Sequence, residues 1–300
     1  MNAIEIRNLH KSFGAKHAVR NLNMTVPQGA IYGFIGENGS GKSTTEKILC
    51  GLLHEDGGSI KLFGRDHTDP GVRERIGVLI EAPGCFPNIS VWNNMMLQAT
   101  NLGIKHPEAE IAKVLKTVRM EGAASNKFRN CSLGMKQRIG IAFALLGKPS
   151  LLVLDEPING LDADGMRIMR EVLTDITQNY GCTVLISSHI LGELEKIATH
   201  YGIIRKGRMI REMTAEELDA DCRTYLALQT GEPAKTKRLL SAKFERVQSG
   251  EDGSFRIYDA VKPEAVSAYL YQNGVIVSEL KSAKIGLEEY YIDLMQKKEA

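Results

Sequence analysis

Three places along the chain carry residue types whose spacing implies phosphate chemistry. Gly36-Glu37-Asn38-Gly39-Ser40-Gly41-Lys42-Ser43-Thr44 follows the pattern of a glycine, four residues, then Gly-Lys-Ser/Thr, after the apolar run 30–35 and before a helical pattern. Glycines at Gly36, Gly39 and Gly41 let backbone N–H groups, with Asn38, Ser40 and Thr44 beside them, turn inward around a triphosphate. The helix that follows adds free N–H groups and a positive dipole end. Lys42 is placed to reach the β- and γ-phosphates, and the Ser43 hydroxyl to ligate Mg²⁺. The second place is Asp155-Glu156 at the end of the buried-type run Leu151-Leu152-Val153-Leu154. Ligands collect at the carboxyl ends of parallel strands, so Asp155 would hold Mg²⁺ through its water shell and Glu156 would polarise an attacking water. The third is His189, after the run Thr183–Ile186 and Ser187-Ser188, where an imidazole sharing an edge with the loop can reach a γ-phosphate. Phe13, an aromatic upstream of the loop, is a candidate to stack on adenine.

The elements that must position these groups follow from periodicity. Alternation at Ile4-Glu5-Ile6 and at Leu22–Val26, with Phe13-Gly14 and Ala18-Val19 between them, predicts a β-rich start before the loop. Ile48, Leu49, Leu52 and Leu53 keep helical spacing after it. Arg75–Glu81 reads as a short strand ending on a carboxylate, broken by Ala82-Pro83-Gly84. From Val91 to about Asn126 the pattern is helical, with Ile111, Val114, Leu115 and Val118 on one face. Cys131-Ser132-Leu133-Gly134-Met135 then opens a helix over Ile139–Leu146, a second helix N-terminus that could face an anion. Asn159-Gly160-Leu161-Asp162 is a turn before a helix over Gly165–Gln178, and 201–210 reads as a hairpin. Beyond Thr214 the predicted order is strand, helix, strand, strand, helix, strand, the split βαβ of a ferredoxin-like sandwich, with a terminal helix over Gly286–Lys297.

Composition narrows the class. A chain of 300 residues with 43% hydrophobic residues supports two domains. A net charge of +2 from 38 basic and 36 acidic residues argues against direct nucleic-acid binding. Five widely spaced cysteines without a CxxC pair read as reduced thiols and point to the cytoplasm. No run approaches the ~18–20 apolar residues that span a bilayer, so membrane contact is expected only through another chain.

Together these motifs resemble the ATP-binding-cassette ATPases, over roughly residues 1–215. The loop matches the Walker A motif, Leu151–Glu156 the Walker B motif with its catalytic glutamate, Cys131–Met135 the signature motif, Asn159–Asp162 the D-loop, and His189 the switch histidine. The resemblance implies an α/β P-loop cassette over 1–215, with a mixed sheet core, a β-subdomain and a helical subdomain over about 85–145. A small C-terminal α+β ferredoxin-like domain over 216–300 would follow. It implies ATP and Mg²⁺ as cofactors, with Glu156, His189, Lys42 and Glu81 catalytic. Phe13, Val19, the loop residues, Ser132, Gly134 and Asp162 would bind nucleotide, and Ser43, Glu81 and Asp155 the metal. It further implies a head-to-tail homodimer or paired ATPase subunit, in which Ser132 and Gly134 of one chain complete the site holding Lys42 of the other. A separate multi-spanning permease would be served from the inner face of the membrane. Two departures narrow the resemblance. The signature reads Cys-Ser-Leu-Gly-Met, and Glu81 stands where a glutamine is usual. With the small tail, these look like the bacitracin and lantibiotic export or self-protection ATPases. A regulatory or translation-associated ATPase of the same superfamily is the alternative, although such proteins usually carry two cassettes or long coiled coils.

Overall fold

Strands β1 (Asn2–Phe13) and β2 (Lys16–Pro27) form a long hairpin whose register pairs Ile4 with Val26 and Ile6 with Met24. Both pairs are buried, because the period of two along each strand turns the same apolar set towards one face. β3 (Ile31–Ile35) leads through the glycine-rich loop into α1 (Lys42–Leu49). β4 (Gly57–Leu62) and β5 (Arg65–Asp66) complete an antiparallel sheet in the order β2-β1-β4-β5. The computed structural model describes residues 1–300 apart from 223, 251, 260 and 298–300.

A second sheet carries the chemistry. After α2 (Pro70–Arg73) come β6 (Ile76–Leu79), α3 (Val91–Asn101), α4 (Pro107–Thr117) and α5 (Leu133–Leu145). They are followed by β7 (Leu151–Asp155), α6 (Ala163–Tyr180), β8 (Thr183–Ser188), α7 (Leu191–Leu194), β9 (His200–Arg205) and β10 (Arg208–Thr214). The strand order is β10-β9-β3-β8-β7-β6, parallel throughout except for β10, which runs antiparallel to β9. β3 and β8 are buried along their whole length, as parallel strands covered on both faces must be. The register sets Asp155 opposite Ser187 and Ile35 opposite Ser188, so the loop, Asp155 and the end of β8 share one edge. α1 lies between the two sheets. Ile48 and Leu49 join Ile4, Met24, Phe34, Val153 and Leu185 in one core.

The predicted helical stretch 91–126 is two helices, because Gly103 at φ 66 and Pro107 break the run. α5 starts at Leu133, six residues before the predicted Ile139, since Ser132 accepts from Met135 N–H and starts the helix early. None of the five cysteines is in a disulfide. Burial pushes the thiols of Cys50, Cys85 and Cys182 up to about 12 and raises that of Cys131.

The chain divides into two compact units, Met1–Ala215 and Glu216–Ala300. After α8 (Ala215–Asp221), which the sequence pattern did not suggest, the second unit runs β11 (Thr224–Thr230), α9 (Pro233–Lys243), β12 (Val247–Ser249) and β13 (Ser254–Ile257). α10 (Pro263–Gln272), β14 (Val277–Lys284) and α11 (Leu287–Lys297) follow. Its antiparallel sheet has the order β12-β13-β11-β14, the split βαβ arrangement. Leu226, Leu228, Phe255, Ile257, Val266 and Leu270 form its own core. The last strand of the predicted order runs from Val277 to Lys284. Val275 buries its side chain in the core.

Candidate nucleotide site

Backbone geometry makes the loop. Gly41 has φ 113, and a Cβ there would lie 2.6 Å from the Ala18 carbonyl oxygen, so both the angle and the space require glycine. At Gly36 a Cβ would come within 2.5 Å of the Ile204 carbonyl oxygen. Lys42 leads α1 and its Nζ donates to the carbonyls of Gly36 (2.6 Å) and Glu37 (3.3 Å). Ser40 is buried and its hydroxyl has no protein partner, which fits a cradle awaiting phosphate oxygens.

A cavity of about 250 Å³ opens over this loop, lined by Phe13, Asn38, Gly39, Gly41, Lys42, Ser43, Thr44, Asp155 and Glu156. Lys16 and Ala18 also line it, and neither belongs to a motif. Phe13 is 51% exposed, an aromatic face free to stack. Asp155 Oδ1 accepts from Ser187 Oγ at 2.7 Å, and Ser187 Oγ in turn accepts from Glu156 N–H at 3.1 Å. His189 Nδ1 lies 2.7 Å from Glu156 Oε2. Glu156 has φ 50, a left-handed conformation that a bulky residue adopts where its surroundings demand it. The hydroxyl of Ser43 and the carboxylate of Asp155 are hard oxygen donors, a set that suits Mg²⁺.

The profile of the ABC transporter family matches residues 19–159. Over 297 residues the chain is 36% identical to the bacitracin transport ATP-binding protein BcrA of Bacillus licheniformis, which covers 97% of each chain. The chain belongs to the ABC transporter ATP-binding proteins. This ABC ATPase is also 42% identical to the lantibiotic transport ATP-binding protein SrtF of Streptococcus pyogenes, over 70% of its own length and 90% of that relative. Among solved structures, cbiO1 from Clostridium perfringens, part of the ABC transporter complex cbiONQ, superposes with TM-score 0.67 at 26% identity, over 73% of this chain and 91% of that one. The ABC ATPase thus binds nucleotide and hydrolyses ATP. Among its described residues no helix is long and apolar enough to cross a membrane.

Several residues named from the sequence lie elsewhere. Val19 is 1% exposed and packs in the core beside Ile48, while its neighbour Ala18 faces the cavity. Ser132 caps α5, and Asp162 caps α6 by accepting from Gly165 N–H at 2.8 Å. Gly134 sits against Leu161, so the signature and D-loop motifs adjoin each other and neither lines the cavity. Glu81 departs furthest from expectation. Its carboxylate is 73% exposed and pairs with Lys47 Nζ at 2.8 Å, and it is absent from the cavity wall. Lys47 holds its carboxyl below the usual range. The carboxyl that is raised is Glu46, by burial and then by the charge of Asp155. In the sequence its only mark is an acid two residues before the apolar pair Ile48-Leu49.

Proposed function

We propose that this ABC ATPase drives export of a peptide antibiotic of the bacitracin or lantibiotic type, or a similar amphipathic compound, through a separate multi-spanning permease. It would work at the inner face of the membrane. The observation that carries this reading is the match to a bacitracin transport ATP-binding protein over 97% of both chains, the small second unit included.

The site residues support a mechanism in which the loop N–H groups and the start of α1 cradle the triphosphate. Phe13 stacks on the base and Lys42 neutralises charge on the β- and γ-phosphates. Ser43 and Asp155 would hold Mg²⁺, which would supply positive charge to offset the negative charge that develops on the phosphates in the transition state. Glu156 accepts from and orients the attacking water. His189, at 2.7 Å from Glu156, fixes that carboxylate and extends towards the γ-phosphate. Ser132, Gly134 and Asp162 stand outside the cavity, which favours their delivery to the nucleotide of a second chain, head to tail.

Cells carrying the chain with its permease are expected to tolerate more bacitracin or lantibiotic than cells carrying Glu156→Gln. Equal sensitivity of both, with the complex assembled, would rule the substrate class out. For the pairing, Ser132→Arg mixed with Lys42→Ala gives heterodimers with both lesions on one site and the other intact, so partial ATPase activity should return. Heterodimers as inactive as either parent would mean that the site is not shared this way or that two intact sites are required. Light scattering on ATP addition separates these outcomes.

A further inference from the structure

The sheet of the second unit has two unlike faces. Its period of two sends Leu226, Leu228, Phe255 and Ile257 into the core with Leu240 of α9 and Leu270 of α10, and leaves Tyr225, Arg256 and Tyr258 on the other face. There the rings of Tyr225 and Tyr258 meet at 5.5 Å, and Arg256 lies over Tyr225 at 4.8 Å. α11 is tied to that face by the Arg256–Glu289 ion pair, and to the end of α8 by the Tyr290 hydroxyl, which donates to Asp221 Oδ2 at 3.2 Å. Between α11, the end of α8 and the edge strand β12 a cavity of about 560 Å³ remains. That volume lies within the ~300–1,000 Å³ that small-molecule sites occupy.

The lining combines two characters. Ile285 and Leu294, with the aromatic bodies of Tyr258 and Tyr290, offer apolar contact. Asp221, Glu245 and Asp293 bring three carboxylates, and those of Glu245 and Asp293 have no hydrogen-bond or ion-pair partner among the described residues. Arg246 is the one basic residue in the described lining, and its guanidinium is engaged by Asp259 Oδ1 at 3.7 Å. A ligand therefore meets a negative excess. The Tyr258 hydroxyl donates to Gln248 Oε1 at 3.0 Å and that of Tyr290 to Asp221, so both rings are held by their polar ends and little ordering is left for binding to do. Tyrosine faces attract cations through the ring quadrupole, and the carboxylates add to the same attraction. We propose that the second unit holds a binding site for a small organic cation with an apolar or aromatic body, its charge seated among Asp221, Glu245 and Asp293. All of these residues belong to the second unit and the nucleotide motifs to the first, so the site requires neither the ATP chemistry nor the transport reading.

Tetraphenylphosphonium and tetraphenylborate share one apolar shape and carry opposite charges, which makes them the probes of choice. Titrated calorimetrically into the full chain, the phosphonium should bind one to one and about tenfold more tightly than the borate. Glu245→Gln combined with Asp293→Asn should weaken the phosphonium about tenfold and leave the borate bound no more weakly. Tyr290→Leu should cost the cation about threefold, whereas Tyr290→Phe, which keeps the ring, should stay near wild type. Excess ADP with Mg²⁺ should leave the cation affinity unchanged. Thermal melts check folding, and the two carboxamide substitutions made singly, each expected at about threefold, replace the double variant if it does not fold. No binding of the phosphonium, equal affinity for the two ions, wild-type affinity in the carboxamide variants, or displacement by ADP would each overturn the proposal.

Discussion

Glu156 is held from three directions: by Ser187 through its N–H, by His189 through its carboxylate, and by its own left-handed backbone at φ 50. Such a conformation costs of order 1–3 kcal/mol and persists where the surroundings over-determine it. Glu156→Gln keeps the shape and one acceptor oxygen but loses the base, so turnover should fall by ~10² to 10⁴ while ATP still binds. Single-turnover hydrolysis beside equilibrium ATP binding checks this, and near-wild-type hydrolysis would remove Glu156 from its role. Glu81 is the opposite case. Its ion pair with Lys47 is solvent-facing, so Glu81→Gln should leave both the melting temperature and the Mg²⁺ needed for half-maximal hydrolysis unchanged. A raised Mg²⁺ requirement would return Glu81 to the metal's surroundings. Residue types and spacing made the loop, Asp155, Glu156 and His189 legible in the sequence, since each motif lies at the end of a readable strand. Glu81 stands off the cavity wall because it pairs with Lys47, thirty-four residues earlier in the chain, an ion pair that linear spacing does not announce. Glu46 and Ser187 escaped because their meaning comes only from packing against Asp155.

Elements differ in how much of their definition is local. Ser90 caps α3 by accepting from Asn93 N–H at 3.1 Å, far from the nucleotide cavity. Ser90→Ala should therefore lower stability by about 1 kcal/mol without changing ATP affinity, read by denaturant unfolding and nucleotide titration. Caps and apolar stripes are short-range signals, and α1, α6 and α10 were visible in the sequence for that reason. Pairing is not. The register that sets Asp155 opposite Ser187 joins residues thirty-two positions apart, and nothing in either strand's own alternation announces it. The division of 91–126 hinges on a glycine and a proline that a helical count averages over. α8 is a short acidic helix with a single buried apolar side chain, Leu218, too little periodicity to be noticed.

At the scale of the molecule, the first unit has two sheets and the second has one, and each unit has its own apolar core. Ending the chain after Ala215 should thus leave a cassette that folds cooperatively and binds ATP, monitored by thermal melting and nucleotide titration. Loss of both would mean that the second unit completes the core of the first. The motifs for nucleotide all precede that point, whereas the remainder of the sequence carries 12 basic and 15 acidic residues, a slight negative excess that suits contact with protein better than with phosphate. The buried thiols have a practical corollary. Burial keeps four of them as neutral thiols, and the thiolate is the form that attacks alkylating reagents. Those four positions are in that sense dark to labelling. A cysteine introduced at a surface position such as Leu97, 46% exposed on α3, would react far faster than those four, and a fluorophore carried there would report from one known point on the cassette.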